Sequence, residues 1–330
     1  MTVLIVGAGP MAAAHADALS TLNVRFDVLG RGEQSAAKFE NEHKIPVIRG
    51  GVAALEHNVS STYEAAIIAV NIESLAPVTI ELVKKGITRF LIEKPAGLDA
   101  TEIRSLNQTL EAAGVKAFVG YNRRFYASTS EVRRLISEDG GLTSFHFEFT
   151  EIEDRILSSS KPEKVLKNFT LGNSSHVVDL AFHLGGEPTE TYGLIEGSLD
   201  WHPHAAVFVG CGKSANGALF SWRADWGSAG RWSLEFRTRR RRLLMEPIET
   251  LSTQEKGSFK IVNWELQDED DKRCKPGVLA QMRDFLSSNT KTSVLPSLAD
   301  HARSLDTRFL PIFSPKPIVA KQRKRKKFVS

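Results

Sequence analysis

The chain is poor in the residues that build disulfide scaffolds and membrane spans. Its 330 residues include two cysteines, Cys211 and Cys274, which lie far apart and lack the spacing of metal ligands. This composition argues against a disulfide framework or a metal site and indicates two free thiols in a reducing cytosol. No apolar run approaches the roughly 20 residues that cross a bilayer, and the chain begins with a strand-like segment rather than a signal peptide. We therefore expect a cytoplasmic protein without a membrane partner.

The chain has no net positive charge outside its last residues. The formal charge is +4, but the tail at about 316–330 contains seven Lys and Arg and no acid, so 36 basic and 39 acidic residues remain in the body. Without the tail, the chain has a slightly negative net charge and would not attract the phosphates of DNA or RNA. We therefore expect no nucleic-acid partner. The tail is interpreted as a solvated terminus, with polyanion binding as the alternative.

The remaining composition is that of an ordinary globular protein. Hydrophobic residues make up 42% of the chain and charged residues 25%, both typical of compact domains. Because 330 residues exceed what one hydrophobic core usually serves, two domains are expected.

The N-terminus combines an apolar strand with a glycine-rich turn. Thr2–Val6 is short, apolar and rich in β-branched residues, as in a strand buried on both faces of a parallel sheet. Gly7 permits a tight turn, and Gly9 lets the backbone approach a pyrophosphate. An alanine-rich helix follows, and its first turn, at Pro10 and Met11, would face the anion. In this setting the glycine pattern predicts a dinucleotide-binding site.

Strands and helices alternate through the first ~117 residues, which predicts βαβ units and a doubly wound parallel sheet. The strands are expected at Val24–Leu29, Ile45–Ile48, Ala65–Val70, Thr88–Ile92 and Val115–Val119. After Gly120 the pattern alternates with period two, most clearly over Thr143–Ile152, which favours an antiparallel sheet with one covered face. The fold class is therefore α/β, with a Rossmann domain at residues 1–119 and, at residues 120–330, an α+β domain whose open sheet is mostly antiparallel.

Motifs spread along the chain resemble those of one family, the Gfo/Idh/MocA oxidoreductases, enzymes related to glucose–fructose oxidoreductase and inositol dehydrogenase. The similar segments are Gly7–Gly9 with His15, Glu93–Pro95, Gly120–Phe125, His176–Gly186, Lys275–Leu286 and Pro296–Asp300. They stand in the family's order and cover the chain to about residue 313. The resemblance is greatest to members from bacterial surface-polysaccharide pathways. It implies NAD or NADP in the first domain, substrate binding and oligomerisation through the second, and a homodimer or homotetramer.

The resemblance implies hydride transfer between the nicotinamide and a carbinol or ketone of a sugar or nucleotide-sugar. Lys94 would bind the reacting hydroxyl, and partial burial beside a nicotinamide cation would favour its neutral form. Pro95 restricts Lys94 to extended backbone, and Glu93 would orient Lys94 or touch the cofactor. His176 would be the second acid/base and substrate-orienting group.

The sequence departs from the family four residues before His176. An aspartate is usual there, whereas this chain has Gly172 with Asn173 beside it. In an alternative register, Asp179 and His183 share a helix face and form the expected pair, but fewer of the motif's other positions then match. The missing acid also supports an alternative function, a catalytically impaired dinucleotide-binding regulatory or sensor protein.

The end of the second strand favours NADP over NAD. An acid at this place would bind the ribose 2′-hydroxyl of NAD, but the sequence has Arg31 between two glycines and Ser35 close by, a set that suits a 2′-phosphate. After the fourth strand, the family's usual threonine-proline is replaced by Val70 and Asn71. Contacts on the nicotinamide side are therefore expected to differ from those of the family.

Four polar residues of the second domain are candidate substrate contacts: Asn122, Arg124, Asn173 and Asp179. For Arg124, whose fork suits a phosphate or carboxylate, an interdomain salt bridge is the alternative. The run Arg237–Arg242 is expected to be an exposed hairpin turn, with a diphosphate site as the alternative. In a dimer, either Phe145, Phe147 and Phe149 or the group Trp222, Trp226 and Trp232 could cover the open sheet face.

Overall fold

The computed structural model describes residues 1–159, 161–287 and 293–315, which form two sheets with flanking helices. The basic tail considered above lies outside the described residues. Among the helices of the described ranges, none is both long and apolar enough to cross a membrane.

The first sheet is parallel, with the strand order β3-β2-β1-β4-β5-β6. Its strands are β1 (Thr2–Val6), β2 (Arg25–Leu29), β3 (Val47–Ile48), β4 (Ala65–Ile68), β5 (Arg89–Glu93) and β6 (Lys116–Gly120). Helices lie between them at α1 (Pro10–Thr21), α2 (Glu33–His43), α3 (Leu75–Lys84) and α4 (Ala100–Ala112). The order reverses between β1 and β4, and at such a switch point open α/β sheets bind their ligands beyond the carboxyl ends of the strands.

The second sheet has eight strands in the order β14-β13-β12-β11-β7-β10-β9-β8. They are β7 (Leu142–Phe149), β8 (Pro188–Glu196), β9 (Val207–Ser214), β10 (Leu219–Asp225), β11 (Trp232–Thr238), β12 (Arg241–Met245), β13 (Ser252–Glu255) and β14 (Val262–Asn263). The β7–β10 pair is parallel and the other pairs are antiparallel, as the period-two pattern predicts.

Eight further α-helices lie in the described residues. They are α5 (Ala127–Glu138), α6 (Glu153–Leu157), α7 (Glu163–Lys167), α8 (Ser175–Gly185), α9 (Glu269–Arg273), α10 (Val278–Leu286), α11 (Leu298–Ser304) and α12 (Leu310–Phe313). Helix α10 returns to the first sheet, where Met282 and Phe285 share a core with the alanines of α1 and with Phe118. The carboxyl-terminal residues therefore pack on both halves of the molecule.

The aromatic side chains expected to cover the free face of the second sheet lie on its other face. Phe145 and Phe147 contact Phe182 of α8 with ring centroids 6.0 and 5.8 Å apart, and Phe149, Trp222 and Trp226 are also buried within the chain. The sequence assignment of these side chains to an intersubunit face was wrong, because α8 covers the same face of the alternating strands. The opposite face has no helix from the described residues over its exposed apolar side chains on β8, β9 and β10: Tyr192, Leu194, Val209 and Leu219.

Candidate active site

The glycine-rich turn joins β1 to α1 at the carboxyl edge of the first sheet. Gly7 has φ of +125°, and a Cβ at this position would lie 2.2 Å from the carbonyl oxygen of Ala69, so the packing itself demands glycine. At Gly9, by contrast, an added Cβ would meet no atom within 4 Å. Pro10 opens α1, and no side chain caps that helix end. The fold thus leaves open backbone beside a helix N-terminus, a space that fits the pyrophosphate of a dinucleotide.

Arg31 follows the end of β2, at the place where the sequence predicts a contact with the cofactor ribose. Arg31 is exposed, and within the described parts of the chain no hydrogen bond or ion pair engages its guanidinium. The Ser35 hydroxyl donates to the Gly32 carbonyl at 3.0 Å. The nearby Arg49 is instead held by two carboxylates, those of Glu33 and Glu40.

Two further candidate cofactor contacts follow β4. Val70 is partly buried and Asn71 is exposed, and a short 3-10 turn then leads into α3. The side chain of Ile72 in that turn reaches the second domain, since a Cβ on Gly172 would lie 3.3 Å from its Cδ1 atom. The segment after β4 therefore borders the same space as the residues before α8.

Glu93 ends β5 and binds the first helix. Its Oε1 atom lies 2.8 Å from Nε2 of His15, a fully buried side chain of α1. This contact links the glycine-rich turn to the Glu93–Pro95 motif. The His15 contact occupies one carboxylate oxygen of Glu93, and the role of Glu93 toward Lys94 or the cofactor stays a prediction.

Lys94 carries its ammonium group into the space between the domains. The Lys94–Pro95 peptide is cis, and Nε2 of His301 in α11 lies 2.9 Å from the Pro95 carbonyl oxygen. The Lys94 Nζ atom donates to the carbonyl of Gly172. Burial lowers the pKa of the Lys94 ammonium to about 8, and the Arg123 guanidinium acts in the same direction. A lysine with this pKa can release and accept a proton near neutrality.

His176 lies in the first turn of α8, enclosed by aromatic rings. Its ring centroid is 5.8 Å from that of Tyr121 and 6.0 Å from that of Trp232. Burial, reinforced by the positive charges of Arg123 and Lys94, holds its pKa well below the usual range. The Nδ1 atom is buried and bonds no group in the described ranges. His176 is therefore neutral, and one ring nitrogen lacks a protein partner.

The histidine of the alternative register is directed elsewhere. His183 bonds the guanidinium of Arg133 on α5, and burial lowers its pKa to about 3. His176, by contrast, adjoins Tyr121 and Trp232, and the choice of register stays a prediction.

Two of the candidate substrate residues bind each other. Arg124 Nε donates to Asp179 Oδ2 at 2.7 Å, Nη2 bonds the other carboxylate oxygen, and Nη1 donates to the Val294 carbonyl at 3.1 Å. The ion pair considered as the alternative role of Arg124 is thus present, and it occupies the edge of the guanidinium that a substrate would need. Asn122 similarly donates to the Pro276 carbonyl at 3.0 Å.

Sequence reasoning missed a buried carboxylate beside Lys94. Glu151 follows β7 and accepts hydrogen bonds from Asn173 Nδ2 at 3.0 Å and Ser174 Oγ at 2.6 Å. Burial raises its pKa, although these bonds and the charge of Lys94 oppose the rise. The amide nitrogen of Asn173 thus binds Glu151, and a substrate contact by Asn173 stays a prediction. No local motif marks Glu151, since it meets its partners only when the strand end approaches the segment before α8.

Comparison with known proteins assigns the first domain. Residues 1–121 match the sequence profile of the oxidoreductase family with an NAD-binding Rossmann fold, Gfo/Idh/MocA. The similarity to that family covers 121 of the 330 residues. A search among curated proteins finds no similar sequence.

Solved structures resemble the chain over nearly its whole length. An oxidoreductase from Agrobacterium radiobacter, in complex with NAD+, L-tartaric acid and magnesium, has a TM-score of 0.74 at 13% identity, over 92% of this chain and 93% of that one. UDP-N-acetylglucosamine 3-dehydrogenase from Acidithiobacillus ferrooxidans has a TM-score of 0.69 at 17% identity, over 93% and 94%. Levoglucosan dehydrogenase in complex with NADH has a TM-score of 0.71 at 16% identity, over 92% and 93%. At these identities the likeness shows a shared fold.

Proposed function

We propose that the protein is an NAD(P)-dependent oxidoreductase that acts on a carbinol or ketone of a sugar or nucleotide-sugar. The observation that carries the proposal is the Lys94 ammonium, buried at the carboxyl end of β5 and held by the Gly172 carbonyl. It lies between the domain that binds the dinucleotide and the helix that carries His176. The sugar dehydrogenases among the similar folds support the substrate class.

The chain's own residues can bind the cofactor and move a proton. Gly7, Gly9 and the first turn of α1, with Pro10 and Met11, would hold the pyrophosphate, and a bound nicotinamide would supply the hydride acceptor. Neutral Lys94 would take the proton of the substrate hydroxyl as the carbinol carbon loses hydride. His176, neutral and enclosed, would accept or donate a hydrogen bond that orients the substrate.

The binding-only alternative depends on the missing aspartate at Gly172. In the structure the carbonyl of Gly172 accepts a hydrogen bond from Lys94, and the Glu151 carboxylate accepts one from Ser174, two residues further on. A lysine with a pKa near 8 serves proton transfer and would be unnecessary in a sensor of dinucleotides. These contacts favour the enzyme.

The pH dependence of sugar oxidation tests the role of Lys94. With a panel of sugars and nucleotide-sugars and NAD(P)+, kcat/KM should rise through about pH 8 and then level, because the neutral amine is the base. Lys94→Arg should abolish this rise, since a guanidinium stays protonated. Lys38→Arg, on the exposed side of α2, is the control. A wild-type profile that is flat from pH 7 to 9 would contradict the assignment.

A further inference from the structure

Arg123 is a cation without an anionic partner. Its guanidinium carbon lies 4.9 Å from the ring centroid of Trp232, and its Nε atom is buried with no hydrogen-bond partner. Within residues 1–159, 161–287 and 293–315, no carboxylate bonds or pairs with it. The adjacent Arg124, by contrast, is saturated by Asp179 and a backbone carbonyl. An arginine that stacks on an aromatic ring and has unpaired guanidinium nitrogens is well suited to bind a carboxylate or phosphate.

The free guanidinium belongs to the candidate active site. The ring of Trp232, on which Arg123 stacks, also lies 6.0 Å from the ring of His176. The positive charge of Arg123 lowers the pKa of both Lys94 and His176. Arg123 is therefore close enough to act electrostatically on the two groups proposed to contact the reacting hydroxyl.

The carboxylates closest to this cation serve other partners. Glu93 binds His15, and Glu151 accepts bonds from Asn173 and Ser174. A partly buried arginine and a partly buried lysine repel each other and lose hydration, which lowers the stability of the folded protein unless an anion offsets their charge. The excess positive charge in this space is a reason to expect that anion on the substrate.

We propose that Arg123 binds an acid group of the substrate, a carboxylate or a phosphate carried close to the reacting carbinol. This inference rests on the proposed function, because it places the acid group in the same site as Lys94. It narrows the substrate to acidic sugars or nucleotide-sugars. The two oxygens of a carboxylate or phosphate would accept hydrogen bonds from the two Nη atoms of the guanidinium, which stacks on Trp232.

Calorimetric titration of the NADH-loaded protein tests the inference with matched probes. The probes are D-glucose, D-glucuronate and D-glucose 6-phosphate, and then UDP-D-glucose and UDP-D-glucuronate. Each acidic probe is compared with the less acidic one of its pair: D-glucuronate and D-glucose 6-phosphate with D-glucose, and UDP-D-glucuronate with UDP-D-glucose. In at least one pair the acidic probe should bind tenfold or more tightly. A preference for the uronates would identify a carboxylate, and a preference for glucose 6-phosphate or UDP-glucose over glucose would identify a phosphate.

Arg123→Gln should remove the preference for the acidic probe while leaving the Kd for NADH within twofold. The backbone carbonyl of Arg123, which accepts a bond from Thr129 Oγ1 at 2.8 Å, is retained in the variant. Arg123→Lys, which keeps the charge and loses the fork, should retain part of the preference. Arg239→Gln, in the exposed turn between β11 and β12, is the control and should behave as wild type.

Equal affinity within every pair, no binding of any acidic probe, or an unchanged preference in Arg123→Gln would overturn the inference. Failure of the wild-type protein to bind NADH or NADPH would instead overturn the proposed function. The two failures are distinguishable because dinucleotide binding is measured before any sugar is added.

Discussion

At the scale of single residues, Arg31 is the side chain on which the choice of cofactor depends. It is exposed at the end of β2 with no partner in the described structure, and Ser35 lies in the next turn of chain. We propose that this pair binds the 2′-phosphate of NADP. Arg31→Ala should weaken NADPH binding by about 1.5–3 kcal/mol, the range of a charged hydrogen bond, and leave NADH binding nearly unchanged.

Titration that follows nicotinamide fluorescence measures both affinities. Arg49→Ala is a matched control, because Arg49 lies nearby but is already held by Glu33 and Glu40. Equal losses for both cofactors in Arg31→Ala, or a wild-type preference for NADH, would refute the assignment.

At the scale of elements, the segment before α8 depends on Glu151. That carboxylate binds Asn173 and Ser174, and the carbonyl of Gly172 beside them holds Lys94. Glu151→Gln should shift the rise of kcat/KM to lower pH, because the lost negative charge had favoured the Lys94 ammonium. A purely structural role would lower stability without moving the pH profile.

Glu148→Gln is the control for that variant. Glu148 lies on β7, three residues before Glu151, and is equally buried, with 8% exposure for each residue. It pairs with Arg223 instead. Its pH profile should match wild type. An unshifted profile in Glu151→Gln would show that the Glu151 charge does not act on Lys94.

Elements whose signals are local could be predicted from the sequence. Strand β1, helix α2 and the glycine-terminated helices α3 and α4 follow from apolar runs, periodicity and glycines at helix ends, so their positions agree within one or two residues. Strands β8, β13 and β14 were not predicted, because partly exposed strands near a sheet edge are mixed in polarity.

The same distinction applies to the site. Lys94 and His176 were found through motifs, whereas the roles of Arg123 and Glu151 depend on contacts between distant segments. Arg124 is a candidate in the sequence analysis and Arg123 is not, because the sequence cannot show that Asp179 pairs with the second arginine and not the first.

At the scale of the whole molecule, we propose that the uncovered face of the second sheet joins copies of the chain. Leu194 and Val209 are cross-strand partners there and are 60% and 42% exposed, which is unusual for large apolar side chains in a cluster. Light scattering at micromolar concentration should give at least twice the mass of one chain. Leu194→Glu should lower that mass to one chain.

Leu157→Glu is the control for assembly, since Leu157 is 53% exposed but lies on α6, away from the sheet. Its mass should equal that of wild type. A monomeric wild-type protein would refute the expected homodimer or homotetramer.

The central claim is that Lys94 moves the proton while the first domain binds the dinucleotide. Reduction of NAD(P)+ by the sugar and nucleotide-sugar panel, followed at 340 nm for wild type and Lys94→Met, tests it most directly. Methionine keeps the apolar stem and removes the ammonium, so dinucleotide affinity should persist while turnover falls roughly 10²–10⁴-fold. A Lys94→Met enzyme within a few-fold of wild type, or a wild type that oxidises no member of the panel, would contradict the account.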